Sequence, residues 1–132
     1  IPMHTTLTSF LLVGCGGFIG SALRYAVTLL GQRISTSYPH GTLWANIGGC
    51  LLLGVLTALA GRTGTLAPPV RLLLATGLCG GFTTMSTFTH EALVFIERAA
   101  YLHAAGYIAA TLLCCMGSFC AGLYAVTLAT RG

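Results

Sequence analysis

The sequence predicts an all-α membrane protein, one domain over residues 1–132 with four transmembrane helices, and three observations carry that prediction. Apolar residues make up 55% of the chain and charged residues only 6%, against about a quarter charged in soluble domains. Four apolar stretches are long enough to cross a bilayer core, which takes about 20 helical residues. The links between them are short and hold glycine, proline and charge, the chemistry of loops. High hydrophobicity with low charge also excludes disorder. There is no lysine and no aspartate; the ionic side chains are Arg24, Arg33, Arg62, Arg71, Arg98 and Arg131 against Glu91 and Glu97. That is little material for acid–base catalysis. The arginines are scattered singly, with no basic stripe for a nucleic acid.

The first span runs from Leu7 to Leu30. It has no basic segment before it and is too long for a signal-peptide core. The chain starts at Ile1 rather than Met, so a trimmed start is one reading. The second span runs from Leu43 to Ala60, after a link carrying Pro39 and His40. Thr42 and Asn46 lie four apart there, on one helix face. Asn46 brings amide donors and an acceptor, either for an ion or to tie helices together. The third span, Val70 to Ile96, follows Gly64, Pro68 and Pro69. It contains Gly80-Gly81-Phe82-Thr83-Thr84-Met85-Ser86-Thr87-Phe88-Thr89. Adjacent glycines followed by a run of hydroxyl residues make a poor continuous helix. Two readings stay open. A break would free backbone groups at membrane depth for side chains, water or an ion. Alternatively, the hydroxyls bond back to i−4 carbonyls and only bend the helix. The fourth span runs from Leu102 to Leu128, and its Tyr107, Thr111, Cys115 and Ser118 share one face.

Glu91, near the end of the third span, either pairs with an arginine, lines a vestibule or snorkels to the interface. Tyr38, Trp44 and Tyr101 fall near span ends, at headgroup level. Gly16 with Gly20, and Gly77 with Gly81, form small-xxx-small pairs that let helix backbones approach. The six cysteines lie in apolar runs without C-x-x-C spacing and read as small buried hydrophobes. Four spans put both termini on one side, with Arg62, Arg71 and Arg131 there and Arg33, Arg98 and Arg24 opposite. The positive-inside rule then casts no vote. Either the boundaries blur, or the chain inserts both ways and pairs as an antiparallel dimer with inverted symmetry.

Taken together, three motifs resemble those of the Fluc (CrcB-type) fluoride channels. They are Gly16-Gly17-Phe-Ile-Gly20-Ser-Ala-Leu-Arg24-Tyr25, Gly41-Thr42-Leu-Trp-Ala-Asn46-Ile-Gly48-Gly49 and Gly77-Leu-Cys-Gly80-Gly81-Phe-Thr83-Thr84-Met85-Ser86-Thr87-Phe88. The resemblance spans essentially the whole chain. It implies a fluoride-selective channel in the bacterial plasma membrane that lets the anion leave the cytoplasm passively. It also implies an antiparallel, dual-topology homodimer whose third helix breaks at the bilayer centre. A structural Na⁺ would sit there on the dimer axis, held by the backbone carbonyls of Gly80 and Thr83. The implied fluoride pathway holds Thr42, Asn46, Met85, Thr87, Phe88, Tyr107, Thr111 and Cys115, with Arg24 and Glu91 at a vestibule. Met85 stands where the family carries the first of two phenylalanines, and Cys115 where it usually carries serine.

These residue types suit a small, tightly hydrated anion. A pore must replace water's hydrogen bonds without holding the ion too well. Neutral hydroxyls, amides and positive ring edges do that; a fixed full charge in mid-pore would trap the ion. Two rival readings are a four-helix, dual-topology multidrug exporter and a non-conducting membrane subunit. The exporter needs a carboxylate in the first span, which has none.

Overall fold

In the computed structural model residues 3–61 and 63–131 are described, and among them every regular element is a helix. Arg62, one of the flanking arginines, lies outside the described residues. The elements are α1 (Met3–Ile34), α2 (His40–Gly61), α3 (Pro68–Arg71), a π-helical stretch (Leu72–Cys79), α4 (Gly80–Phe82), α5 (Met85–Glu97) and α6 (Tyr101–Ala129). Three helices are long and apolar enough to cross a membrane: Thr6–Ile34, His40–Gly61 and Tyr101–Ala129. They take up the first, second and fourth predicted spans and extend each by a few residues. The third predicted span, 70–96, is divided among α3, the π stretch, α4 and α5, so no single helix covers it.

Local chemistry explains these limits. Pro68 and Pro69 occupy the first turn of α3, where a missing N–H costs nothing. α5 ends in a turn with Ala99 at φ 56°. There Ala99 N–H donates to the Ile96 carbonyl (2.9 Å) and Ala100 N–H to the Phe95 carbonyl (2.8 Å). This is a Schellman closure with alanine at the left-handed position usually given to glycine. It reverses the chain directly into α6.

The packing is inverted relative to a soluble protein. Bulky apolar side chains face outward, Leu102 at 85%, Phe18 at 76% and Phe10 at 71% exposure, while the interior holds Ala45, Ala58, Ala92 and Ala104. Lipid is as apolar as leucine, so helices associate here largely by close backbone approach, with Leu56, Phe88 and Tyr107 the large side chains buried between them. α1 lies along the π stretch and α4, and α2 lies along α6. At the first contact Gly16 meets Gly77, Gly81 meets Gly17, and Gly20 lies against Leu78 and Phe82. A Cβ on Gly81 would stand 2.5 Å from the Gly17 carbonyl oxygen, and one on Gly77 2.8 Å from that of Val13. Gly54 and Gly122 play the same part between α2 and α6.

Candidate functional site

The site is built around two residues that are not helical. α4 stops at Phe82; Thr83 (φ −83°, ψ 156°) and Thr84 (φ −152°, ψ 116°) are extended, and α5 starts at Met85. Thr84 caps α5 by accepting from the Thr87 N–H at 3.2 Å, the usual way to satisfy an orphan first-turn amide. Asn46 on α2 clamps the same residue from the side. Its Oδ1 accepts from the Thr84 N–H at 2.6 Å, and its Nδ2 donates to the Thr84 carbonyl at 3.0 Å.

These bonds have a consequence for the backbone. In a continuous helix the N–H of residue i bonds the carbonyl of residue i−4. The Thr84 amide would close on Gly80 and the Thr87 amide on Thr83. Asn46 takes the first amide and the Thr84 hydroxyl takes the second. The carbonyls of Gly80 and Thr83 thus lose their helical donors. Gly80 also borders open space, with no atom within 4 Å of where a Cβ would stand. Two freed carbonyls beside open space fit a small hard cation such as Na⁺, which takes oxygen ligands. Thr83 satisfies its own hydroxyl by bonding back to the Cys79 carbonyl at 2.9 Å. Two hydroxyls of the run therefore bond back as in the bend reading, that of Thr83 and that of Thr89, which donates to the Met85 carbonyl at 2.9 Å, while Thr84 and Asn46 hold the chain open.

Arg24 comes to the same place from α1. Its Nε donates to the Gly81 carbonyl at 3.0 Å, and a cation at a helix C-terminus is favoured. Its observed contact is with the interruption itself.

The remaining candidates divide between two cavities, except Thr87 and Tyr107, the latter lining a separate hollow with Tyr38 and His103. One, of about 450 Å³, is lined by Asn46, Gly80, Thr83, Thr84, Met85, Phe88, Thr111 and Cys115, among others. Met85 is 66% exposed along it. The Thr111 Oγ1 is buried and has no hydrogen-bond partner, and an unmade bond in such a place is costly. A second cavity, about 270 Å³, lies at the end where α1 closes and α2 opens, and includes Thr42, Glu91, Tyr38, His40, His90 and Arg98. Here Glu91 accepts from the Thr42 hydroxyl at 2.8 Å and from the Tyr107 hydroxyl at 2.7 Å. The carboxylate thereby ties α2, α5 and α6 together. Thr42 and Tyr107 donate to it, and the hydroxyl track on α6 meets a carboxylate from another helix. Thr87 lines neither cavity and acts at the cap of α5.

A group of rings borders the cavities, Phe88 the first and Tyr38 and Phe95 the second. Phe88 and Tyr107 stand 5.3 Å apart, and Tyr107 meets the edge of Tyr38 at 5.6 Å and of Phe95 at 6.0 Å. Burial pushes the Tyr38 phenol above its ordinary range, with the neighbouring Cys114 adding to the shift. Sequence reasoning placed Tyr38 only as an interfacial aromatic and did not single out Phe95, His40 or His90. No local pattern marks them, because their partners lie on other elements. Their aromatic character at span ends is the one available signal.

Comparison with known proteins agrees in one direction. Residues 11–123 match the family model described as CrcB-like protein, Camphor Resistance (CrcB). A protein of Chlorobium phaeobacteroides (strain BS1) is 38% identical over 111 residues, 84% of this chain and 87% of the relative. One from Chloroflexus aurantiacus (strain ATCC 29366 / DSM 635 / J-10-fl) is 41% identical over 121 residues, 91% of this chain and 90% of the relative. One from Paracoccus denitrificans (strain Pd 1222) is 41% identical over 117 residues, 87% of this chain and 91% of the relative. Each of the three is named fluoride-specific ion channel FluC.

Proposed function

The chain belongs to the CrcB-like family and is a multi-pass cell-membrane protein, and from that premise we propose that it is a fluoride-selective channel that exports cytoplasmic fluoride passively. In this reading the stretch 70–96 is a fourth span, interrupted at the bilayer centre, and two copies insert in opposite directions as a homodimer. The observation that carries the reading is the buried, unpartnered Thr111 hydroxyl in a cavity also lined by Asn46 and Phe88. An unsatisfied neutral donor in a mostly apolar groove replaces part of a hydration shell without trapping the ion. The Phe88 ring edge adds a weak positive contact. Asn46 contributes its second amide hydrogen, the first being engaged by the Thr84 carbonyl.

Glu91 then has a defined part. It orients the Thr42 and Tyr107 hydroxyls and holds three elements together at the mouth. Its negative charge is engaged by two charge-assisted donors, which are stronger than neutral ones. Arg24 from α1 and Asn46 from α2 hold the interruption in place. A Na⁺ on the dimer axis would be held by the Gly80 and Thr83 carbonyls, and its charge would favour an anion nearby. The reading assigns no catalysis.

Proteoliposome efflux tests it. Vesicles loaded with fluoride and carrying the protein should empty without a proton gradient, and vesicles loaded with chloride should not. Retained fluoride, or chloride leaving as fast, would overturn the proposal. A parallel dimer in crosslinking would overturn the oppositely inserted pair.

A further inference from the structure

We propose that the smaller cavity is an anion-collecting mouth whose pull is set by pH, through the imidazoles of His40 and His90. The inference rests on the fluoride reading and adds a regulation to it. The charges that line this cavity come from two elements. His40 stands in the first turn of α2, His90 and Glu91 on α5, and Arg98 in the turn that ends α5. The α1 side of the cavity is neutral, with Thr28 and Gln32. While both imidazoles are neutral, one arginine stands against one glutamate and the lining has no net charge. With both protonated, three positive side chains stand against one negative, a net charge of +2. Imidazole is the side chain whose charge ordinarily changes between about pH 5 and 8. These two residues therefore choose between a neutral mouth and a positive one.

The geometry keeps the added charge available to an anion. Glu91 gives each carboxylate oxygen to a hydroxyl, one to Thr42 at 2.8 Å and the other to Tyr107 at 2.7 Å. His40 is held by rings instead: its imidazole lies 4.9 Å from the Tyr38 ring and 5.6 Å from that of Trp44. Tyr38 leans in turn on Phe95 at 6.1 Å. Aromatic faces attract a cation, so an imidazolium fits here without a carboxylate partner. His90 is exposed. His103 of α6 stacks on Phe95 at 5.9 Å and lines the separate hollow with Tyr38 and Tyr107, so its charge stands outside this cavity. The mouth adjoins the proposed path, because Thr42 lines it and shares Glu91 with Tyr107. A positive mouth concentrates anions and speeds their entry, and salt screens the effect. Fluoride conductance should then rise with acidity whenever entry limits it.

Two measurements test the mouth, one of them independent of conduction. Trp44 is the single tryptophan of the chain and lies 5.6 Å from His40. Its emission in detergent-purified full chain should be quenched by iodide at least about twofold more effectively at about pH 5.5 than at about pH 7.5. Quenching by neutral acrylamide should stay the same. In planar bilayers at low ionic strength and limiting fluoride, the current should rise at least about twofold over the same pH range. Molar gluconate should flatten that rise, and the chain carrying His40→Gln and His90→Gln should show none. A current indifferent to pH, or a rise that survives both substitutions, would overturn the mouth. Should the substituted chain fail to fold, the unaltered one decides the matter, since a rise left intact by molar gluconate refutes an electrostatic mouth. A chain that passes no fluoride at any pH refutes the channel reading. Iodide quenching then judges the mouth by itself, and quenching that does not grow with acidity rejects it.

Discussion

Replacing Asn46 with leucine isolates the clamp that holds the third span open. The variant loses both bonds to Thr84, at 2.6 and 3.0 Å, from a side chain only 7% exposed. Each backbone group left unpaired costs about 1–3 kcal/mol, so the extended conformation at Thr83–Thr84 is raised by about 2–6 kcal/mol. One escape exists: the Thr84 amide can close on the Gly80 carbonyl, the ordinary helical partner, and extend the helix through the interruption. Because about 1.4 kcal/mol is a factor of ten, even the low end of that range depopulates the open form about thirtyfold. We expect fluoride efflux from proteoliposomes to fall at least tenfold, together with any dependence on sodium. Amide exchange at Thr84 should slow if the helix closes. Efflux within threefold of the unaltered chain, with sodium dependence and exchange unchanged, would refute the reasoning that Asn46 keeps these carbonyls free.

Three further predictions follow from the same geometry. Glu91→Gln and Tyr107→Phe should be coupled by about 1–2 kcal/mol in a double-mutant cycle read by melting in detergent, since the phenol donates directly to the carboxylate; additive effects would mean the bond contributes nothing. Gly77→Ala places a Cβ 2.8 Å from the Val13 carbonyl oxygen and should destabilise by about 1–3 kcal/mol as overpacking does. Gly117→Ala, with nothing within 4 Å, should gain up to about 1 kcal/mol from helix propensity, and melting curves of the two check both signs. Met85→Phe should preserve or raise fluoride efflux, because it puts a second ring edge beside Phe88 along the cavity; a loss would show that the groove here depends on the thioether.

Much of this architecture is visible in one dimension. Spans are set by hydropathy and length, and the three continuous helices run within a few residues of the predicted limits. The glycine pairs are legible because a helix repeats its face every three to four residues, so Gly16 and Gly20 had to share one. The glycine and hydroxyl run at 80–89 announced trouble for a helix, since those residues offer the backbone competing bonds. It did not say which alternative prevails. That depends on Asn46, a side chain 38 residues from Thr84 in sequence.

The partners of Glu91 show the same limit. Nothing local to a glutamate near a helix end distinguishes a snorkelling side chain from one holding Thr42 and Tyr107, 49 and 16 residues away. The π-helical widening at Leu72–Cys79 likewise has no mark in its residues. Composition and periodicity by themselves determined a helical bundle of membrane-crossing composition, the limits of its three continuous helices and the faces on which small and polar groups fall. Only tertiary packing decided which donor meets which acceptor, because bonds between elements depend on the relative rotation and depth of helices. Those are set by close glycine contacts summed over the whole chain, not by any window of it.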